Sequence, residues 1–136
     1  MSRLDLRNNA AISRSLAPAS VADPSVPVNG TSVDLAGYDD ALVVINAGTI
    51  SGASASLTFE VQHSDDNSVF VAVPTEELDG AEPVVAAAND EQLHTIGYKG
   101  IKRYVRVCIT AKAGTAPTMI CDALVLRQRG RKLPRT

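Results

Sequence analysis

The chain has 136 residues and a formal net charge of −2, and 45% of its residues are apolar. This length suits one domain with its own hydrophobic core and is too short for two ordinary domains. The aromatic residues are two Phe and three Tyr, with no Trp, so the core must be built from Val, Ile, Leu and Ala, a composition that favours β-strands. No signal peptide and no apolar run of about 18 residues is visible, so we expect a protein made in the cytoplasm without a membrane span.

Charge is distributed unevenly along the sequence. Residues 31–126 contain five basic and thirteen acidic residues, a net charge of −8, whereas residues 127–136 contain five basic residues and no acidic one. Residues 1–30 carry three arginines against two aspartates. The pattern predicts an acidic body followed by a basic C-terminal tail.

The first 30 residues have no sustained hydrophobic period. They mix Asn, Ser and Ala with Pro18, Pro24 and Pro27, and their apolar residues are scattered. We predict an extended N-terminal arm that binds a neighbouring surface, with a disordered leader as the alternative.

From residue 31 onward, short strand-like runs alternate with turn residues. The clearest unit is a hairpin in which residues 57–64 alternate apolar and polar side chains, residues 65–68 turn, and residues 69–73 return. Residues 41–47 form a nearly continuous apolar strand, and residues 48–56 are predicted to be a loop of small residues. With about eight antiparallel strands and no convincing helix, residues 31–126 are predicted to form an all-β, single β-sandwich or jelly-roll-like domain. The remaining predicted strands are residues 32–35, 84–88, 92–98, 102–111 and 118–127.

The most distinctive stretch, residues 95–110, consists of two strands and a turn bracketed by Gly97 and Gly100. We interpret its second strand as half of a structural hairpin with one side in the core, formed by Val105, Val107 and Ile109. Four of the five basic residues of the body lie in this stretch, namely Lys99, Lys102, Arg103 and Arg106. We expect these cations to contact an acidic neighbour, the alternative being a solvated strand edge protected by charge.

The two cysteines, Cys108 and Cys121, are too few for a disulfide framework and lack metal-ligand spacing. Each lies in a strand-like run, so we predict buried free thiols. A cross-strand disulfide is the alternative if the two runs pair about Gly114.

Candidates for metal binding or catalysis are weak. The acidic turn Asp65-Asp66-Asn67, close to His63, suggests a calcium site, but hairpin turns prefer Asp and Asn for backbone reasons, and the calcium-loop spacing with its terminal Glu is missing. His63 and His94 are isolated, and no nucleophile elbow, phosphate loop or zinc-protease motif is present. We therefore predict no catalytic residue, no cofactor and no metal site.

The basic tail has two interpretations. Its cations, including Arg127, Arg129, Arg131 and Lys132, could neutralise nucleic-acid phosphates, but no aromatic residue accompanies them for base stacking. The acidic body has the wrong sign for binding nucleic acid. We therefore prefer docking of the tail onto an acidic protein surface, such as the body of a neighbouring copy.

Four segments together carry a resemblance to a known class of proteins. They are the residues IGYKG at 96–100 and KRYVRV at 102–107, preceded by VQHSDD at 61–66 and VDLAGY at 33–38. In these segments the chain resembles small virion structural proteins of tailed bacteriophages, in particular capsid decoration or cement proteins. The similarity covers roughly residues 31–126.

This resemblance implies a non-enzymatic β-rich protein of the virion that binds the outer capsid surface and bridges subunits of the major capsid protein. It also implies a homo-oligomer, with a trimer favoured. From the sequence itself we expect no membrane partner, and the acidic body disfavours nucleic acid as a partner. The alternatives are a carbohydrate- or receptor-binding module of a head spike, and a component of the neck or tail. The predicted partner contacts are the cations Arg3, Arg7, Arg14, Lys99, Lys102, Arg103, Arg106, Arg127, Arg129, Arg131 and Lys132.

Overall fold

The computed structural model describes residues 6–128, which form a sandwich of two antiparallel β-sheets. Helical structure in this range is limited to single turns at Leu6–Asn9 and Thr75–Glu77. The predicted all-β, sandwich-like fold is confirmed. The strands of the described chain are β1 (Ala10–Ala22), β2 (Val28–Asn29), β3 (Val33–Asp34), β4 (Asp40–Ser51), β5 (Ser56–Ser64), β6 (Val71–Ala72), β7 (Leu78–Asp79), β8 (Val84–Ala86), β9 (Leu93–Tyr98), β10 (Tyr104–Ala113) and β11 (Thr118–Gln128).

The two sheets differ in how their edges are made. The first has five strands in the order β1-β11-β4-β9-β7. The second has the order β2-β10-β5-β6, with β3 also pairing with β10 and β8 with β5. The edges of the second sheet therefore consist of strands of two or three residues. Short edge strands leave little continuous backbone free for pairing with another chain.

The hydrophobic core lies between the sheets and is mainly aliphatic. Each long strand contributes alternate residues to it, as the two-residue period of a half-buried strand requires. Val105, Val107 and Ile109 are fully buried, as predicted. The largest fully buried side chains are Phe59, Ile45, Leu57, Ile96, Ile109 and Met119.

The predicted N-terminal arm differs from the structure at residues 10–22. These residues form β1, which pairs with β11 from Ala10 opposite Gln128 to Ala22 opposite Thr118. The strand has register shifts between Arg14 and Leu16 and between Leu16 and Ala19, around Pro18. Because these bulges interrupt the alternation of apolar and polar residues, the sequence did not reveal the strand.

Ser15 ties β1 to the second sheet at the bulge. Its buried hydroxyl donates to the carbonyl oxygen of Thr31 (2.9 Å) and accepts the backbone N–H of Val107 (2.7 Å). The backbone N–H of Thr31 in turn donates to the carbonyl oxygen of Ser15 (2.6 Å). β1 therefore belongs to the first sheet and closes one side of the sandwich against β10, so the predicted boundary at residue 31 is corrected.

The stretch of residues 95–110 is not a hairpin. β9 pairs with β4 in the first sheet, whereas β10 pairs with β5 in the second. Residues 99–103 therefore cross from one sheet to the other. The alternation of apolar residues fits either arrangement, because both place one side of each strand in the core.

The predicted pairing of residues 57–64 with residues 69–73 is confirmed, but its second arm is short. β6 contains only two residues, and His63 lies opposite Val71. β4 is longer than predicted, since it continues through Gly48 to Ser51 in a segment predicted to be a loop. Along β11, Arg127 and Gln128 belong to the strand and not to the tail.

Candidate interaction site

One end of the sandwich carries a cleft of about 480 Å³ between two loops. Residues 35–39 connect β3 with β4, and residues 99–103 connect β9 with β10. Tyr38, Tyr98, Ile101, Lys102 and Arg103 are among the residues that line the cleft. The distinctive cationic stretch of the sequence therefore forms one wall of a surface depression.

Two ion pairs hold the 99–103 loop in place. Arg103 donates two hydrogen bonds to the carboxylate of Asp34, from Nε and Nη2, each 2.9 Å long. The Lys102 ammonium contacts the carboxylate of Asp65 at 2.8 Å. The hydrogen bond from Arg103 is the main reason why the pKa of Asp34 lies below its ordinary value. Since both pairs are partly exposed, we assign them a role in orienting the loop and not a large stabilisation.

Backbone hydrogen bonds fix the two ends of the same loop. The N–H of Lys99 donates to the carbonyl oxygen of Glu77 (2.7 Å), and the N–H of Leu35 donates to that of Arg103 (2.7 Å). Between them, the N–H of Lys102 donates to the hydroxyl of Tyr98 (3.3 Å). The loop is therefore braced by the β3–β4 connection on one side and by the β7 region on the other.

His63 and Tyr98 form a buried polar pair beneath the loop. The Nδ1 atom of His63 lies 2.8 Å from the Tyr98 hydroxyl, and the two rings meet edge to face with centroids 5.8 Å apart. Because the Tyr98 oxygen already accepts from Lys102, we assign its hydroxyl hydrogen to His63 Nδ1, which places the imidazole hydrogen on Nε2. Burial lowers the pKa of His63 and raises the pKa of Tyr98 to about 12, so both groups are neutral near pH 7.

Gly100 allows this loop to pass over the tyrosine. A Cβ atom at position 100 would lie 2.4 Å from the Tyr98 hydroxyl oxygen, closer than van der Waals contact permits. The glycine is therefore required by the close approach of the loop to the ring.

Ile101 lies at the tip of the braced loop and is 96% exposed. A single exposed aliphatic side chain is ordinary on a protein surface. Here, however, the side chain is the most exposed large apolar one among the described residues, it borders a cleft, and its loop is held by three neighbouring segments, at Asp34–Leu35, Asp65 and Glu77. The sequence signal for it, an isoleucine between Gly100 and Lys102, was obscured by the surrounding cations.

Several cations that were predicted to contact a partner are engaged within the molecule. Arg106 donates from Nε (2.9 Å) and Nη2 (2.7 Å) to the side-chain oxygen of Gln62, and its guanidinium lies 4.0 Å from the centroid of the Phe70 ring. Arg103 also lies over the ring of Tyr104, at 5.1 Å from its centroid. An arginine therefore lies over one face of each of these two rings, in cation–π geometry.

Arg127 is likewise a structural residue. It donates to the carbonyl oxygen of Asp34 (3.0 Å) and to the hydroxyl of Ser13 (2.7 Å), and its guanidinium lies 4.8 Å from the centroid of the Tyr38 ring. Its Nε atom is buried without a hydrogen-bond partner in the described structure. Arg127 therefore joins β1, β3 and β11.

The other predicted partner contacts fall into two groups. Arg7, Arg14 and Lys99 are exposed and form no ion pair with a residue in the range 6–128. The remaining cations, Arg3, Arg129, Arg131 and Lys132, lie outside the described residues.

In the acidic turn after β5, Asp66 uses its carboxylate locally, whereas Asp65 pairs with Lys102. The Asp66 carboxylate accepts the backbone N–H groups of Ser68 and Val69 (3.0 Å each) and the hydroxyl of Ser64 (2.9 Å). The hydrogen bond from Val69 is the largest cause of the lowered pKa of Asp66. Within residues 6–128, no group of three or more His, Cys, Asp or Glu side chains is arranged to hold a metal ion.

Comparisons with protein-family models, with curated proteins and with solved structures find no match to this chain. No helix within the described range is long and apolar enough to cross a membrane.

Proposed function

We propose that this protein is a non-enzymatic structural protein of a bacteriophage virion that binds the outer surface of the capsid and stabilises the major capsid protein lattice. The main support is the braced loop that presents Ile101 beside the cleft. The resemblance of residues 33–38, 61–66 and 96–107 to decoration proteins supplies the identity of the partner.

The loop has the properties of a binding element for a preformed protein surface. Its ion pairs and backbone hydrogen bonds order residues 99–103 before any partner arrives, which reduces the entropic cost of association. An aliphatic anchor on a rigid loop fills a pocket, while the exposed Lys99 beside it adds charge at the rim. Repeated over many lattice positions, such contacts stabilise the assembled shell, because the protein binds the lattice and not its dissociated subunits.

The test is co-sedimentation of the full-length protein with purified capsids of the phage that encodes it, prepared without this protein. We expect saturable binding, and we expect Ile101→Asp to weaken it by roughly 30-fold or more, the range of a hot-spot residue. Val84→Asp is the matched control, because Val84 is 52% exposed and pairs with Thr58, far along β5 from the loop. It should bind like the unmodified protein.

Two results would reject the proposal. One is that the unmodified protein does not bind capsids, and the other is that Ile101→Asp binds as well as the Val84→Asp control. Binding to isolated necks or tails in place of capsids would assign the protein to a different position on the particle.

A further inference from the structure

The centre of the outer face of the five-stranded sheet is aliphatic, with a polar row on either side, Asp122 beside Asn46 and Gln128 beside Asp40. Val43, Ile45, Ala123 and Val125 point into the core and are fully buried, so the residues between them on β4 and β11 point outward. The strand registers align the outward residues of neighbouring strands in rows across the sheet. The aliphatic face consists of Ile12, Leu42, Val44, Leu124 and Leu126.

The opposite face of the sandwich is polar. On the second sheet, the outward side of β5 and β10 carries Glu60, Gln62 and Arg106, joined by hydrogen bonds. The aliphatic face is therefore a property of one sheet and not of the surface in general. Ile12, at its edge, is 65% exposed.

One row of the aliphatic face crosses all five strands. Ile12 on β1 lies opposite Leu126, which lies opposite Leu42, then Gly97 and finally Asp79 on β7. The row thus has a bulky side chain near one edge, two leucines in the middle, and a glycine without a side chain near the other edge.

The next row places an arginine on the β1 edge. Arg14 lies opposite Leu124, which lies opposite Val44 and then Thr95. Arg14 and Asp79 are both exposed, and neither forms an ion pair within residues 6–128. The two lateral edges of the aliphatic face therefore carry charges of opposite sign that are not paired within residues 6–128.

We propose that this face binds a second copy of the same chain in a two-fold symmetric pair. A two-fold axis parallel to the strands, between β11 and β4, places β11 of one copy over β4 of the other and β1 over β9, with β7 just beyond β1. Leu126 of one copy then meets Leu42 of the other, and Ile12 lies above Gly97, where no side chain opposes it. The same operation brings Arg14 of each copy towards Asp79 of the other, so that the charge pairing occurs twice.

This arrangement satisfies the requirement of an isologous contact, in which one surface must be complementary to itself. Two sheets packed face to face bury their aliphatic rows in a layer about 10 Å thick, as in the interior of a sandwich. The pair is two-fold, in place of the trimer that the resemblance implies. It does not depend on the proposed capsid binding, which uses the loop at residues 99–103.

The test measures the mass of the full-length protein by sedimentation equilibrium over a range of concentrations. We expect a reversible dimer of twice 14.3 kDa. Ile12→Asp, Arg14→Asp and Asp79→Arg should each raise the dissociation constant by about tenfold or more. The double variant Arg14→Asp with Asp79→Arg should recover the dimer, because the reversed charges pair again.

Val69→Asp is the control, since Val69 is 68% exposed, close to the 65% of Ile12, and lies in the loop between β5 and β6, two strands of the other sheet. It should dimerise normally. Three results would each overturn the proposal. The first is a monomer at all concentrations, and the second is a trimer. The third is that both single charge variants lose the dimer and the double variant does not recover it. Loss of capsid binding by Ile101→Asp has no bearing on this result.

Discussion

Most of the cations in residues 6–128 act as internal braces. Arg103, Arg106 and Arg127 each combine hydrogen bonds to a neighbouring segment with an aromatic ring beneath the guanidinium. Arginine suits this role because its planar group donates in fixed directions and stacks on rings. These arginines therefore hold separate segments of the chain together. The residue that the braced loop exposes is the apolar Ile101.

The buried His63 predicts how stability depends on pH. Its pKa in the folded protein is lowered by burial, with Glu77, Lys102 and Asp65 as the nearby charges. The unfolded chain therefore binds a proton at a higher pH than the folded one. The stability contributed by neutral His63 is complete above the unfolded pKa of about 6.5 and is lost as the pH falls through the folded pKa.

We expect the midpoint of thermal unfolding to decrease between about pH 7.5 and pH 5.5. His63→Gln should reduce this decrease, because glutamine accepts the Tyr98 hydroxyl without titrating. Glu82, whose pKa is raised by burial, contributes with the opposite sign, so the comparison is made between variants at each pH. His94→Gln is the control, and an equal decrease in all three proteins would contradict the assignment.

At the level of elements, β1 determines how the sandwich closes. It pairs along almost its whole length with β11, yet its Ser15 hydroxyl bonds to residues of the other layer. Gly30 is required at this crossing, since a Cβ atom there would lie 2.3 Å from the carbonyl oxygen of Val107. The segment predicted to extend away from the body is therefore one of the connections between its two sheets.

Ser15→Ala is expected to lower the free energy of unfolding by about 1–3 kcal/mol, because the backbone N–H of Val107 loses its partner in a buried position. Ser20→Ala provides the control on the same strand, where the side chain is exposed, and should change stability by less than about 0.5 kcal/mol. Denaturant unfolding measures both. Equal stability of the two variants would show that the crossing is not held by this hydroxyl.

For the molecule as a whole, the two sheets separate the two cysteines. Cys108 lies on β10 in one sheet and Cys121 on β11 in the other, and both are buried and free. The predicted buried thiols are confirmed, and the hairpin that would have allowed a disulfide is absent because β10 and β11 do not pair. Burial raises the pKa of both thiols, that of Cys121 to about 11.

Reaction with a thiol reagent should therefore report global unfolding. In native buffer we expect neither cysteine to react, because burial blocks access and the raised pKa values keep the thiolate fraction small. The labelling rate should rise with denaturant in parallel with the loss of β structure by circular dichroism. Cys108→Ala assigns the remaining signal to Cys121, and a thiol that reacts rapidly without denaturant would contradict this prediction.

The sequence predicted the parts of the fold that depend on local periodicity. The alternation in residues 57–64 and 118–127 identified β5 and β11, and the aliphatic composition predicted a core between strands. It did not predict β1, because bulges around Pro18 break the two-residue period. It also did not predict that β9 and β10 belong to different sheets, because the alternation of apolar residues does not depend on which strand pairs with which. For the candidate site, the stretch at residues 95–110 was found, but its exposed anchor was not.

The sequence by itself therefore determined an all-β body and its aliphatic core, because a two-residue period and side-chain volume are properties of the chain. The tertiary structure decided which strands pair, which cations are already engaged, and which face remains aliphatic. These depend on residues distant in sequence, such as Asp34 with Arg103 or Ile12 with Leu126, which only folding brings together.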